Sequence, residues 1–374
     1  MVPALRWLRS YNSQTFSSDL IAAIIVSIML IPQSLAYALL AGLPAEVGLY
    51  ASILPLAVYA IFGSSSTLSV GPVAIASLMT AAAVGEVAAA GQYSVTAAAV
   101  TLAGLSGGML MIFGFLRLGF LANFLSHTVV SAFITASAII IALSQLRHLL
   151  GVNAGGDTLG EILHSLLVAM PNLNLPTLAL GGGVLVFLFL VRSQGVRILS
   201  ALGLSAFQAQ LCAKVAPVLA VIATIALTSS LQLESRGVAV VGDIPSGLPA
   251  LAMPQLSFEL LQTLWLPALL ISIIGYVESV SVGRTLGGKR QERIDPDQEL
   301  IGLGTANVAS ALSGGLPVTG GFSRSVVNFD AGAVTQAASL MTALFIGLVS
   351  LFFTPLLYAL PKATLAATII VAVI

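Results

Sequence analysis

The 374-residue chain is 58% hydrophobic and only 7% charged, and its formal net charge is zero. Soluble domains carry about 25% charged residues, so this chain has too few polar side chains to coat a globule in water. The neutral balance also argues against a nucleic-acid partner. The composition predicts an all-α polytopic membrane protein that has the lipid bilayer as its main solvent.

Apolar stretches recur along the whole chain, and a helix needs about 20 apolar residues to cross a bilayer. The first stretch is too long for the apolar region of a signal peptide. Two stretches, the third and the tenth, are conspicuously short. We predict about twelve spans: 20–41, 43–62, 72–87, 95–115, 120–143, 177–191, 214–231, 264–286, 298–313, 318–329, 333–359 and 362–374.

The Lys and Arg residues predict the orientation of these spans, because cytoplasmic loops carry an excess of both. With a cytoplasmic N-terminus, ten of the fourteen lie inside, three lie outside and Arg324 falls within a span. The inside set is Arg6, Arg9, Arg117, Arg192, Arg197, Lys214, Arg284, Lys289, Arg290 and Arg293, and the outside set is Arg147, Arg236 and Lys362. We expect a multi-pass protein of an inner or plasma membrane.

The two halves of the chain share a layout. Gln33 in the first span corresponds to Glu278 in the eighth, and about 40 residues later each half has a short span interrupted by Gly and Pro. Seven spans separate the paired elements, and an odd number inverts the second copy. Paired interrupted segments in inverted repeats indicate the substrate site of a transporter. The predicted repeats cover about 15–232 and 255–374.

Spans 3 and 10 are predicted to be half-helices that begin inside the membrane. The first N–H groups of a helix have no partner within it, and lipid cannot satisfy them, so they must line a cavity. Pro72 suits the first position of such a helix, while Gly71, Gly320 and Gly321 allow the chain to break and bend. Two opposed helix N-termini favour an anion.

Side chains near the two breaks can add to such a site. Arg324 brings a permanent charge whose insertion costs about 2.5 kcal/mol or more, which indicates a function. Polar side chains that only pack between helices are the alternative for the others. Gln33 and Tyr37 share a helix face one turn apart. The predicted substrate-binding set is Gln33, Tyr37, the amides of Val73 and Ala74, Phe322, Ser323 and Arg324.

The acidic residues divide by their position in the spans. Glu278 lies well inside a long span, and burial of a carboxylic acid favours its protonated form. We hypothesise that Glu278 carries a coupling proton or pairs with Arg324. Four other acids fall at predicted span ends and are expected to be solvated: Asp19, Glu46, Glu86 and Asp330.

Enzyme chemistry is not predicted. The flanks of Ser323 do not supply the G-x-S-x-G elbow of a serine hydrolase. No metal-ligand spacing occurs, and no cofactor is expected.

Three motifs of the chain resemble the sulfate permease family of anion transporters: 31–38 followed by Gly42-Leu43-Pro44 and Gly48-Leu49-Tyr50, 276–284, and 320–325. The similarity extends from about residue 10 to the end. It implies a seven-plus-seven inverted-repeat transporter fold with separate core and gate domains. The implied core spans lie in about 15–115 and 264–329, and the implied gate spans in about 120–231 and 333–374.

The resemblance also implies a role and a larger protein. Members have fourteen spans and a cytoplasmic STAS domain, so we expect this transmembrane domain, 1–374, to be truncated before its last spans, and a homodimer follows by the same analogy. A glutamate at the position of Glu278 serves coupling in proton-coupled members, which favours proton-coupled sulfate uptake. The sequence does not identify the transported anion. Sodium-coupled bicarbonate or dicarboxylate symport, anion exchange and a channel therefore remain as alternative functions.

Overall fold

The computed structural model describes residues 3–89, 91, 93–123, 127–156, 158–203, 205–255 and 257–373. The described chain is mainly helical, with one pair of very short strands. The elements in chain order are α1 Ala4–Arg9, α2 Ser13–Leu40, α3 Ala45–Tyr50, α4 Leu54–Phe62, β1 Val70–Gly71, α5 Ala74–Ala89, α6 Val95–Phe115, α7 His127–Leu150, α8 Leu159–Ala169, α9 Leu175–Leu190, α10 Val196–Ala201, α11 Ala206–Ser230, α12 Phe258–Lys289, α13 Pro296–Leu312, β2 Thr319–Gly320, α14 Phe322–Asp330, α15 Ala337–Phe352 and α16 Lys362–Val373.

Side-chain caps fix where several of these helices begin. The Asn12 side chain accepts a hydrogen bond from the amide of Thr15 and starts α2. Asp295 caps α13 in the same way, and Pro296 occupies the first turn of that helix, where its missing N–H is not needed. These caps are local signals, so the starts of such helices follow from the sequence.

Within the described residues, five helical stretches are long and apolar enough to cross a membrane, two of which join consecutive helices (α3 with α4, and α9 with α10): Ser13–Leu40, Ala45–Phe62, Val95–Phe115, Leu175–Ala201 and Phe258–Lys289. Five shorter apolar helices accompany them: Ala74–Ala89, Thr135–Leu150, Val215–Ser230, Ala337–Phe352 and Lys362–Val373. Each of these ten overlaps a predicted span. Helices α13 and α14 occupy the other two predicted positions, but neither is in these two groups, so the count of twelve stays a prediction.

The chain divides into two compact units, and the first combines Met1–Ile134 with Gly247–Leu351. Its apolar core includes residues of α2, α5, α6, α12 and α13, among them Ala38, Val84, Leu102, Val280 and Leu303. Helices from the first and second halves of the chain therefore share one core, which positions the candidate site.

Helix α15 also belongs to the first unit up to Leu351, while the sequence-based assignment of 333–374 to a gate domain stays a prediction. Small residues join α15 to this unit, since Ala22 of α2 packs with Ala333 and Ala338. The Thr342 hydroxyl also donates to the carbonyl of Ala23 at 3.4 Å. Contacts with α2 thus hold α15 in this unit.

The second unit combines Thr135–Ser246 with Phe352–Ile374. Its core joins α9, α11 and α16 through Val184, Leu188, Ala216, Ala220 and Ala367. An isolated antiparallel bridge between Val240 and Pro361 also links its two chain segments.

Candidate functional site

The two interrupted segments of the sequence meet in the first unit. Strands β1 and β2 pair antiparallel, with Val70 opposite Gly320 and Gly71 opposite Thr319. Helix α5, of 16 residues, begins three residues after β1, and α14, of 9 residues, begins two residues after β2. The pairing therefore brings two helix N-termini to one place. That both helices begin inside the membrane stays a prediction.

Pro72 does not occupy the predicted first position of the short helix. Helix α5 begins at Ala74, and the carbonyl of Val73 already accepts the amide of Ser77 at 2.9 Å. Strand pairing holds the backbone extended through Gly71, and Pro72 and Val73 connect the strand to the helix. The carbonyl of Pro72 instead accepts a hydrogen bond from Arg324.

Arg324 is the central cation of the site and is 2% exposed. Its Nη1 donates to the carbonyl of Pro72 at 2.7 Å, and its Nη2 approaches the carbonyl of Thr319 at 3.4 Å. Its Nε has no hydrogen-bond partner within the described residues. The guanidinium thus binds the ends of both strands through neutral carbonyls, and part of its donor capacity is unused.

Close approach to Arg324 explains two of the glycines. A Cβ on Gly71 would lie 2.9 Å from Nη1, and a Cβ on Gly321 would lie 2.8 Å from Nη2. Gly320 approaches a different residue: an added Cβ would lie 2.7 Å from the side chain of Leu68. None of the three has a positive φ. They are required for space at the paired strands rather than for an unusual backbone conformation.

Tyr37 and Glu278 both lie within electrostatic range of Arg324, and they lie within electrostatic range of each other. Tyr37 is buried, whereas Glu278 is half-buried. The Oε2 of Glu278 has no hydrogen-bond partner within the described residues. The structure therefore brings together three of the predicted residues, but it does not join Glu278 and Arg324 by a hydrogen bond.

The remaining predicted residues differ in exposure. Val73 and Ala74 are each 7% exposed, and Phe322 is 57% exposed. Ser323 is also exposed, and Gln33 is half-buried one turn before Tyr37. The amides of Val73, Ala74, Phe322 and Ser323 donate no hydrogen bond within the described part of the chain. These amides are free donors at the starts of α5 and α14.

Polar side chains of α14 and of the segment after it make hydrogen bonds with the backbone of the loop that leads into β1. The sequence analysis did not predict these contacts. Ser325 Oγ accepts from the amide of Ser69 at 3.0 Å, and Asn328 Nδ2 donates to the carbonyl of Thr67 at 3.1 Å. Gln336 Nε2 donates to two further carbonyls of this loop. Their sequence signal is weak, because Ser, Asn and Gln are ordinary residues at helix ends.

A hydroxyl of α12 secures the other strand. Ser279 Oγ accepts from the amide of Gly320 at 2.8 Å and lies 2.7 Å from Thr319 Oγ1. The corresponding Ser34 of the first half lies instead 2.6 Å from Ser52 Oγ. The two serines align in the sequence but contact different partners.

Two buried carboxylates support the same region. Glu299 is 1% exposed and accepts from Tyr59 Oη at 2.7 Å, from both the amide and the hydroxyl of Ser64, and from the amide of Ser65. Its position in the sequence, next to a charged loop, gave no signal of this role.

Asp19 was predicted to be solvated, and that prediction is wrong. The residue is 0% exposed and accepts hydrogen bonds from the amides of Val334 and Thr335 and from the Thr335 hydroxyl. A distant loop folds over the carboxylate and replaces water. The other three acids differ from Asp19: Glu46 is half-buried, and Glu86 and Asp330 are exposed.

Solved structures share this fold. A murine Solute Carrier 26 family member A9 anion transporter in the inward-facing state matches with a TM-score of 0.89 and 27% identity over 99% of this chain and 62% of that one. The transmembrane domain of a cyanobacterial bicarbonate transporter, BicA, matches with a TM-score of 0.82 and 24% identity over 96% of this chain and 89% of that one. The fold and the apolar helices define the class: an α-helical, multi-pass membrane protein with a transporter fold.

The model of the sulfate permease family matches residues 16–374, and the chain belongs to that family. The chloroplastic sulfate transporter 4.1 of Arabidopsis thaliana is 38% identical over 100% of this chain and 53% of its own length. A probable sulfate transporter of Mycobacterium tuberculosis is 34% identical over 99% of this chain and 63% of its own. The family and these relatives are transporters rather than enzymes, and the chain spans between half and two thirds of the relatives' length.

Proposed function

We propose that this chain forms the membrane domain of a secondary active transporter that takes up sulfate together with protons. The observation that carries the proposal is the buried Arg324, placed at the pairing of β1 and β2 beside two helix N-termini. A buried positive charge with an unused Nε donor is suited to an anion. The names of the Arabidopsis and Mycobacterium relatives support sulfate as that anion.

Backbone donors would complete the anion site. The free amides at the starts of α5 and α14 carry the positive ends of the helix dipoles, which favour negative charge. Tyr37 adds a hydroxyl within electrostatic range of Arg324. Exposed Ser323 lies next to Arg324 in the first turn of α14. Sulfate needs several donors around four oxygens, and this arrangement offers them without a metal ion.

Glu278 is proposed to carry the coupling proton. A membrane potential of 100 mV opposes each inward negative charge by about 2.3 kcal/mol, so uptake of a dianion needs co-transported cations. The Oε2 of Glu278 lacks a hydrogen-bond partner and the residue interacts electrostatically with Arg324. Loss of a proton from Glu278 would therefore change the charge next to the bound anion.

The test is uptake of radiolabelled sulfate by the full-length protein in proteoliposomes with an imposed pH gradient. We expect accumulation above equilibrium in the wild type, and no pH-driven accumulation in Glu278→Gln. Glu86→Gln is the matched control, because Glu86 is exposed on α5 and should not alter uptake. Undiminished proton-driven uptake by Glu278→Gln would contradict the coupling role.

The same vesicles distinguish the alternatives. Accumulation driven by a sodium gradient, with bicarbonate or fumarate in place of sulfate, would identify a sodium-coupled symporter. Exchange without net accumulation would identify an exchanger, and dissipation of every gradient would identify a channel. We also propose an inner or plasma membrane location, a cytoplasmic N-terminus and a homodimer.

A further inference from the structure

Two buried carboxamide side chains outside the predicted anion site each bind the backbone just before one of the paired strands. Asn307 of α13 and Gln336, which directly precedes α15, are both 1% exposed. Asn307 contacts Val318, the residue before β2, and Gln336 contacts Leu68, which lies two residues before β1. Each strand therefore has one such contact, although the two carboxamides come from different elements.

Asn307 pairs with both backbone groups of Val318. Its Oδ1 accepts from the Val318 amide at 2.9 Å, and its Nδ2 donates to the Val318 carbonyl at 2.8 Å. A residue of a neighbouring antiparallel strand exchanges the same two hydrogen bonds, so this side chain takes the place of a strand partner. Nδ2 also donates to the carbonyl of Leu303 at 2.9 Å, which fixes the orientation of the amide on α13.

Gln336 binds the first interrupted segment through its donor group. Its Nε2 donates to the carbonyls of Ser65 at 2.6 Å and Leu68 at 2.9 Å. One side chain thus bridges two points of the loop that leads into β1. Leu68 is 0% exposed and its side chain packs closely against Gly320, so a shift of this loop would reach β2 as well.

Both contacts lie close along the chain to the carbonyls that meet Arg324. The Thr319 carbonyl, 3.4 Å from Arg324 Nη2, belongs to the residue after Val318. The Pro72 carbonyl, 2.7 Å from Nη1, follows Leu68 by four residues, two of which form β1. Groups of a binding site must be held to about 0.5 Å by the residues behind them, so displacement of either strand should weaken the site.

We propose that Asn307 and Gln336 are positioning residues for anion binding, and that each fixes one carbonyl acceptor of Arg324 by holding the backbone before its strand. The proposal rests on the proposed anion site at Arg324, and it concerns affinity for the anion rather than proton coupling. Both side chains are uncharged, so they hold the strands without adding a charge that would compete with the anion or neutralise Arg324.

The test measures sulfate uptake by the full-length protein in proteoliposomes for Asn307→Leu, Gln336→Leu and a matched control. Leucine keeps much of the side-chain volume and removes the hydrogen bonds. The control is Gln298→Leu, because Gln298 is also a carboxamide of α13 but its Nε2 donates to the carbonyl of Phe62 at the end of α4. This substitution removes a contact between two helices and leaves both strand approaches unchanged.

We expect the apparent KM for sulfate to rise about 10-fold in Asn307→Leu, because the pairing next to β2 is lost, and about 3- to 10-fold in Gln336→Leu, whose contact is further from its strand. Gln298→Leu should keep the wild-type KM. The KM is the decisive value, since a substitution that only destabilises the protein lowers the amount of active transporter and hence the maximal rate. The KM of the molecules that remain folded would not change.

Hydrogen exchange of the same proteins in detergent, followed by mass spectrometry, gives a measurement that does not depend on the transported anion. Amides of 316–321 should exchange faster in Asn307→Leu, and amides of 64–71 should exchange faster in Gln336→Leu. Exchange in α16 of the second unit should stay the same in both. If these changes occur but the wild type takes up no sulfate, the proposed function fails and the role of the two side chains in holding the strands stands.

The remaining outcomes contradict the proposal. An unchanged KM in both variants, or an equal rise in Gln298→Leu, would overturn it. A lower maximal rate alone would assign the two carboxamides to stability, and so would failure of both variants to fold while Gln298→Leu folds. If only one variant folds, its KM decides.

Discussion

The two interrupted segments, 68–74 and 316–324, have the same layout but contribute different chemistry. The first offers mainly backbone groups: the carbonyl of Pro72 and the free amides at the start of α5. The second supplies the side chains, with Arg324 bound to Pro72 and Ser325 bound to the amide of Ser69. The paired segments are therefore not chemically equivalent, because one contributes the charged side chain and the other contributes the backbone groups that it contacts.

The substitution Arg324→Gln tests this difference between the two segments and is expected to have the largest effect. The substitution removes the buried charge and its contact with Pro72, and a charged hydrogen bond contributes about 1.5–3 kcal/mol. We expect sulfate uptake to fall at least about tenfold, measured as initial rate and apparent KM in proteoliposomes. Arg324→Lys keeps the charge without the fork of donors and should recover part of the affinity. Uptake unaffected by Arg324→Gln would remove this residue from the site.

A smaller effect is expected from Gly71→Ala. The added Cβ would lie 2.9 Å from Arg324 Nη1, so the guanidinium must move away from the Pro72 carbonyl. We expect about a 3- to 10-fold rise in apparent KM, which corresponds to loss of one hydrogen bond. Gly85→Ala in α5 is the control, because an added Cβ there meets no atom within 4 Å. Equal KM values for the two variants would show that the close approach to Arg324 does not matter.

The smallest expected effect is on stability, and it concerns the two serines that align in the sequence, Ser34 of α2 and Ser279 of α12. Ser279→Ala leaves the buried amide of Gly320 without an acceptor, which costs about 1–3 kcal/mol of stability. Ser34→Ala costs less, because its partner Ser52 still donates to the carbonyl of Gly48 at 2.9 Å. Thermal unfolding in detergent should show a lower midpoint for Ser279→Ala than for Ser34→Ala. Equal midpoints would show that the two serines stabilise their halves to the same extent, and the reverse order would contradict the predicted difference.

Local patterns predicted the positions of the site's main parts. The Gly and Pro breaks fall where the structure has β1, β2 and the starts of α5 and α14, although strand pairing was not predicted, and a lone arginine in an apolar stretch marked Arg324. The family resemblance is confirmed by the match over residues 16–374. These signals work because a helix break and an ionised side chain in lipid both have costs that only a special site can offset.

The supporting network could not be predicted in the same way. Glu299 lies 235 residues from Ser64, and Asp19 lies 316 residues from Thr335. Nothing near Asp19 in the sequence indicates that a distant loop will bury it and supply three donors. An acid at a span end is ordinarily solvated, so the local interpretation pointed in the wrong direction.

The sequence by itself determined three properties: that the protein lies in a lipid bilayer, where its helices are interrupted by Gly and Pro, and that it buries a positively charged side chain. Those properties depend on composition and on neighbouring residues. Only the tertiary structure decided which carbonyls the guanidinium meets, which serine secures β2, and that α15 joins the first unit. Hydrogen bonds between residues far apart in the chain depend on how whole helices pack, and that packing is a property of the complete core.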